Sequence, residues 1–151
     1  MAALMTASGT RIEIQTSLDP ARAFLDRCEP SGHQLDKGDR IWGAFEGTGP
    51  MVGIGILGVV RGTRSWAWIG VAPERRRLGV GSELLGVIVA TATGEGLSYL
   101  TCRHPAGEAA PERLARALGL TVARRVADGM VETVAVLARS GRALDEQGEN
   151  R

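Results

Sequence analysis

Residues 71–85 read VAPERRRLGVGSELL, and the fold turns on this stretch. It leaves an apolar run at Val71, passes Pro73 and meets three consecutive arginines, Arg75, Arg76 and Arg77. Gly79 and Gly81 follow, and an apolar segment opens at Leu84. Glycines let a backbone approach a ligand closely and take positive φ without a Cβ penalty. The unpaired N–H groups of a helix start, together with the helix dipole, favour a bound phosphate. Arginine adds charge that no accessible pH removes. Arg76, Gly79 and Gly81 spell R-x-x-G-x-G, so the stretch reads as an anion-binding loop.

The flanks supply the context that such a loop needs. Ser65 leads into WAWIGV, residues 66–71, which reads as a strand. After the glycines, Leu84, Leu85, Ile88 and Ala92 recur at helical spacing, from about Ser82 to Gly94 or Gly96. Strand, glycine loop and helix therefore come in the order that phosphate binding requires. The plainer alternative is a glycine-rich turn with a solvated arginine cluster.

Working outward, the chain has 151 residues, which suits one domain with its own core. Hydrophobic residues make up 44% and charged residues 23%, a globular balance. A net charge of +1 gives no sign of nucleic-acid or membrane partners. Cys28 and Cys102 fit neither a metal spacing nor a disulfide framework, so no metal is expected. The opening MAALMTASG lacks a basic segment and is too short for a signal peptide. No apolar run reaches bilayer length. A cytoplasmic location is expected.

In chain order, residues 10–16 alternate as a half-buried strand, and Asp19-Pro20 opens a helix that ends near Pro30. Residues 31–39 are polar, and His33 among them reads as a solvated loop histidine. Residues 41–46 and 51–61 read as antiparallel strands around a Gly47-Thr48-Gly49-Pro50 turn. The second holds Gly53, Gly55 and Gly58, which fit the dinucleotide fingerprint G-x-G-x-x-G. That fingerprint needs a helix opening at the glycines, whereas Ile54, Ile56, Val59 and Val60 surround them, so a strand with glycine bulges is the better reading. Trp66 and Trp68 share one face of their strand. Residues 97–103 form the next strand, which the intervening helix makes parallel to residues 66–71. His104-Pro105-Ala106-Gly107 breaks the pattern, and Pro111 opens a last helix with Gly119 as its left-handed C-cap. Residues 120–126 and 130–138 are strands joined by an Asp128-Gly129 hairpin turn. Residues 1–140 thus form one domain, and 141–151 a polar tail that is expected to be disordered.

The Arg76-x-x-Gly79-x-Gly81 loop, entered through Val71-x-Pro73, resembles the loop by which the GNAT superfamily of acyl-CoA-dependent N-acetyltransferases holds the pyrophosphate of coenzyme A. Leu118-Gly119-Leu120 resembles that family's Leu-Gly-Phe before its sixth strand. The resemblance covers residues 10–138. It implies an α/β (α+β) fold: a mixed, mostly antiparallel central sheet, a parallel pair flanking the cofactor loop, and helices on both faces. It also implies acetyl-CoA as co-substrate, attacked directly by a small-molecule or protein amine, and a possible homodimer. Arg76, Arg77, Leu78, Gly79, Val80, Gly81 and Ser82 would take the pyrophosphate. Main chain at Ile69, Gly70 and Val71 would take the pantetheine arm, with an N–H near Val71 polarising the thioester carbonyl.

Two departures stand out. Many family members carry a tyrosine acid four residues before the Gly of Leu-Gly-Phe, and Ala115 stands there. The family's strand carboxylate is also absent from residues 66–71. Glu46 and His104 are weak candidates for the base, with a water relay as the alternative. A second function class therefore stands beside the enzyme: an acyl-CoA-binding module of the same fold that acts as sensor or partner. A generic phosphate-binding protein is a third.

Residues 141–151 have too few apolar side chains to bury. Truncation after Ser140 is expected to leave the melting temperature nearly unchanged in a thermal scan; a drop of several degrees would mean that the tail docks on the domain.

Overall fold

A computed structural model describes residues 3–5, 9–28, 35–76 and 79–137. The elements are β1 (Ala3–Met5), β2 (Arg11–Ile14), α1 (Asp19–Cys28), β3 (Arg40–Phe45), β4 (Met51–Leu57), β5 (Arg64–Val71), α2 (Val80–Gly94), β6 (Tyr99–Pro105), α3 (Ala110–Ala117), β7 (Thr121–Ala127) and β8 (Met130–Val136). They form an 8-stranded sheet in the order β1-β2-β3-β4-β5-β6-β8-β7. All neighbours are antiparallel except β5 and β6, which α2 joins as a parallel pair. The mixed sheet with its single parallel pair is the expected architecture. The polar tail and His33 lie outside the described residues.

Side-chain alternation sorts the core onto two faces. On one, α1 places Ala21, Phe24 and Leu25 against Ile41, Met51, Ile54 and Ile56, with Trp66 and Trp68 packed beside them. On the other, α2 places Val80, Leu84, Ile88 and Ala92 against Val52, Leu57 and Ala67. α3 joins that face through Ala115, together with Leu120 and Ala135. No helix among the described residues is long and apolar enough to cross a membrane.

The glycines of β4 explain why G-x-G-x-x-G lies in a strand. A Cβ on Gly53 would sit 2.9 Å from Val80 Cγ1 and 3.0 Å from Leu84 Cδ1. One on Gly55 would sit 3.0 Å from Ile88 Cδ1. Both glycines thus clear a seat for α2. Gly58 lies under the Trp66 indole, where a Cβ would come within 2.1 Å of Nε1. Gly58 makes the last bond to β5, its N–H to Trp66 O, and Val59 and Val60 emerge exposed, so β4 stops at Leu57 rather than running on to residue 61.

Other elements also differ from the sequence reading, most by one to three residues at their ends. β1 was not expected, since three residues without alternation give no signal; it exists by pairing with β2, Leu4 opposite Ile12. α2 starts at Val80 rather than Ser82 because the Val80 side chain is buried on Gly53. β6 continues through His104 to Pro105. Leu137 N–H donates to Ser98 O, so even-numbered residues of β6 bond to β8 and odd-numbered ones face β5. The N–H that Pro105 lacks would therefore point away from β8, and no bond of that ladder is lost. The β7–β8 turn is as expected: Asp128 and Gly129 have φ of 54° and 75°, both positive as a type I′ turn requires.

Gly53→Val is expected to cost about 1–3 kcal/mol through overpacking under α2. Gly86→Ala, on the same helix with nothing within 4 Å of its Cβ position, is expected to stabilise by roughly 0.5–1 kcal/mol. Urea unfolding of both variants checks the pair; an unchanged Gly53→Val protein would mean that α2 does not rest on β4 as described.

Candidate active site

β5 is a complete partner to β4 and an incomplete one to β6. It pairs with β4 from Gly53↔Val71 to Leu57↔Ala67, but with β6 only at Arg64↔Tyr99, Ser65↔Leu100 and Trp66↔Thr101. Beyond Trp66 and Thr101 the two parallel strands part. Gly58 N–H donates to Trp66 O and Ala72 N–H to Val52 O, so even-numbered residues of β5 direct their main chain to β4. The main chain of Ile69 and Val71 therefore faces the gap, while Gly70 bonds toward β4, opposite Ile54. Gly70 is a glycine for a different reason: a Cβ there would lie 2.8 Å from the Trp68 ring.

At the open end of this gap the chain makes a 3₁₀ turn at Pro73–Arg75 and then enters α2. Gly79 is the N-cap of α2, with φ 91° and ψ −4°, and no side chain among the described residues caps the helix. The first intrahelical bond at this end is Glu83 N–H to Gly79 O, 3.0 Å. The N–H groups of Val80, Gly81 and Ser82 therefore lie in the first turn with no carbonyl behind them. They add to the positive end of the dipole. Of the two motif glycines, Gly79 is the one that needs positive φ. Gly81 is helical, and a Cβ on it would make ordinary contacts with Leu114 at 3.5 Å and Val71 at 3.7 Å. Arg76 Nε donates to Val71 O at 3.2 Å, folding the arginine back over the strand end. Arg77 and Leu78 lie outside the described residues.

The two base candidates sit in different surroundings. Glu46, after β3, reaches the loop: its Oε1 lies 2.8 Å from Arg75 Nε, an ion pair without hydrogen-bond alignment. The loop that carries Arg75 and the turn that carries Glu46 are thereby tied together. His104 is 5% exposed. Its Nδ1 lies 3.0 Å from Pro105 O, a pure acceptor, so Nδ1 carries the proton. Its Nε2 lies 2.7 Å from Thr133 Oγ1, which donates to it in the neutral ring. Both ring nitrogens are engaged on the face that α2 and α3 cover, a geometry that speaks for a structural role. Cys102 lies on that face too. Burial first, and the Glu108 charge second, push its thiol up to about 11, which keeps it protonated and unreactive at neutral pH.

The structure also places the two positions that bear on a proton donor. Ala115 is buried on the inner side of α3, against the core. Tyr99 pairs with Arg64 at the closed end of the parallel ladder. Val71 lies seven residues farther along β5, roughly 23 Å at strand rise. Sequence reasoning missed the parting of β5 from β6 and the Arg75–Glu46 pair. Pro105 was the available signal, since a proline on an interior strand implies an unpaired side. No cluster of metal-ligating side chains occurs among the described residues.

No curated protein matches the chain in sequence. Solved structures resemble it throughout. An IAA acetyltransferase from Bacillus cereus ATCC 14579 superposes with a TM-score of 0.68 at 21% identity, covering 85% of this chain and 99% of that one. The ribosomal-protein-S18-alanine N-acetyltransferase from Escherichia coli gives 0.68 at 20% identity, covering 87% and 96%. The GNAT domain of S. lividans PAT gives 0.70 at 16% identity, covering 90% and 96%. At such identities the likeness is one of fold. The profile of the Acetyltransferase (GNAT) family matches residues 9–120, which include the gap, the glycine loop and both flanking helices. With the parted parallel strands and the uncapped glycine-led helix already in place, that match shows that this chain belongs to the GNAT acetyltransferase family.

Proposed function

We propose that the protein is an N-acyltransferase that carries an acetyl group from acetyl-CoA to an amine by direct attack. The observation that carries this is the pairing of two features at one end of β5: the gap-facing main chain of Ile69 and Val71, and the uncapped first turn of α2 behind Gly79. A pyrophosphate fits the second, because three N–H groups and a helix dipole converge there, with Arg76 three residues before the cap. An extended amide-bearing arm fits the first, because it can complete the ladder that β6 abandons.

Bound acetyl-CoA supplies an activated thioester. The chain's part is to hold it and to move protons. The Val71 and Ile69 N–H groups face the place where a thioester carbonyl would develop negative charge. The amine nitrogen forms a bond to the acyl carbon, the carbon–sulfur bond breaks, the ammonium loses a proton and the thiolate gains one. Ala115 offers no acid, and Tyr99 lies at the far end of the ladder. Water is the proton donor in this reading, which a thiol of reference pKa about 8.5 permits. On the other side, water relays the proton away, with Glu46 at the loop as a candidate acceptor.

A second reading rests on the same groups. His104 is locked by Pro105 and Thr133, and Glu46 is held by Arg75, which suits a module that binds acyl-CoA without turnover. Calorimetric titration with acetyl-CoA and thiol release against a panel of amines separate the two. Wild type is expected to bind and to release thiol with at least one amine. Gly79→Val is expected to weaken binding at least about tenfold, or roughly 1.4 kcal/mol, because valine resists positive φ. Arg76→Glu is expected to weaken it too, less so at high salt. Tyr99→Phe is expected to change turnover little. Binding without thiol release on any amine would favour the non-catalytic module. Failure of wild type to bind acetyl-CoA at millimolar concentration would remove both.

A further inference from the structure

Among the described residues, one side of the gap has no helix packed across it. On the other side α2 and α3 cover β6 and β8, burying Leu100, His104, Val131, Thr133 and Ala135. The opposite face is carried by the alternate residues, and among the described residues α1 packs on β4 and β5 rather than on β6, β8 or β7. An acceptor can therefore reach the gap from this open face and not through the packed helices.

Three charged side chains cross that face in one row. Register places Arg103 opposite Glu132, and Glu132 opposite Arg125. Glu132 is paired with Arg125. Arg103 is exposed and makes no ion pair and no side-chain hydrogen bond among the described residues. It stands two positions past Thr101, the last residue of β6 to pair with β5, so its main chain borders the gap itself. Its side chain shares a face with Trp66 and Trp68, because Trp66 pairs with Thr101 and both strands alternate with period two. The row's one carboxylate already has a partner, so Arg103 is a cation in want of an anion beside the point of acyl transfer.

We propose that Arg103 is a specificity-determining residue that selects acceptor amines bearing a carboxylate. This rests on the acyltransferase reading above. The planar guanidinium presents parallel N–H groups that match a carboxylate in a bidentate pair. Two arginines against one glutamate leave the row with a surplus of positive charge, which disfavours polyamine acceptors. A carboxylate held by Arg103 leaves the amine of the same molecule close to the gap, where the acyl carbon must be. Arg103 touches the acceptor's anionic group and takes no part in proton transfer.

The test uses product-like probes, so that it does not require turnover. The coenzyme A complex is titrated with N-acetyl amino acids, with their carboxamides and with N-acetylspermidine by calorimetry in every variant, and in the wild type the Arg103 Nε–H resonance is followed by NMR as well. Saturable binding of at least one N-acetyl amino acid is expected, at least tenfold tighter than its carboxamide and than N-acetylspermidine. Arg103→Gln is expected to erase that preference, and Arg103→Lys to restore part of it, with circular dichroism and melting temperature as wild type. Equal binding of acid and amide, preference for N-acetylspermidine, retention of the preference in Arg103→Gln, or no binding of any acid up to millimolar concentration would each overturn the assignment. Loss of coenzyme A binding by the wild-type protein would instead refute the cofactor reading on which it stands.

Discussion

Everything at the site depends on how closely α2 can approach the sheet. Gly53 and Gly55 remove two side chains from β4 at the points where Val80, Leu84 and Ile88 descend. The three are buried, Val80 at 1% and the others at 0% exposure. Close packing of this kind admits little play, because interiors are as dense as organic crystals and a methylene too many is felt. The first residue of the helix is itself one of the packed ones. The position of the turn at Gly79 is thereby fixed by apolar contacts, and the loop has no need to position it. That separation leaves Gly79 to provide only a left-handed residue at the cap.

The second constraint is the parting of the parallel strands. A parallel ladder that stops after Trp66 and Thr101 leaves main-chain donors and acceptors of both strands without strand partners. Unpaired backbone groups are costly unless water or a ligand satisfies them. β5 limits the exposure by bonding fully to β4 through its even-numbered residues, and β6 does the same with β8. Only the odd-numbered residues, Ile69 and Val71 on one side and Arg103 and Pro105 on the other, remain turned to the gap. The ends of both strands are in turn pinned by side chains: Arg76 on the Val71 carbonyl, and His104 between Pro105 and Thr133.

The polar groups around the gap divide by face. Toward α2 and α3 they are buried and mutually satisfied, as with His104 and Thr133, or held neutral by burial, as with Cys102. Toward the open face they are charged and accessible, as with Arg103. A buried charge would have needed a partner on the first side, whereas water stabilises it on the second. The faces differ for that reason, one packed to hold the scaffold still and the other polar and turned to solvent.

Much of the fold was legible in the residues. Positive φ at Gly79, Gly119, Asp128 and Gly129 follows from local chemistry, as do the helix after the glycine loop and the parallel pair it implies. Glycines with β-branched neighbours were correctly kept in a strand. These features are local, set by turn chemistry and periodicity over a few residues. The tertiary structure alone decided the rest. It brought Arg75 to Glu46 and buried both nitrogens of His104. It separated Gly79, which needs its conformation, from Gly81, which is an ordinary helical position. It left Arg103, beside the gap, without a counter-ion among the described residues. Each of these depends on which strand lies next to which, and on where one pairing ends. A period-two pattern tells which residues share a face, but not what covers that face or where the neighbouring strand turns away.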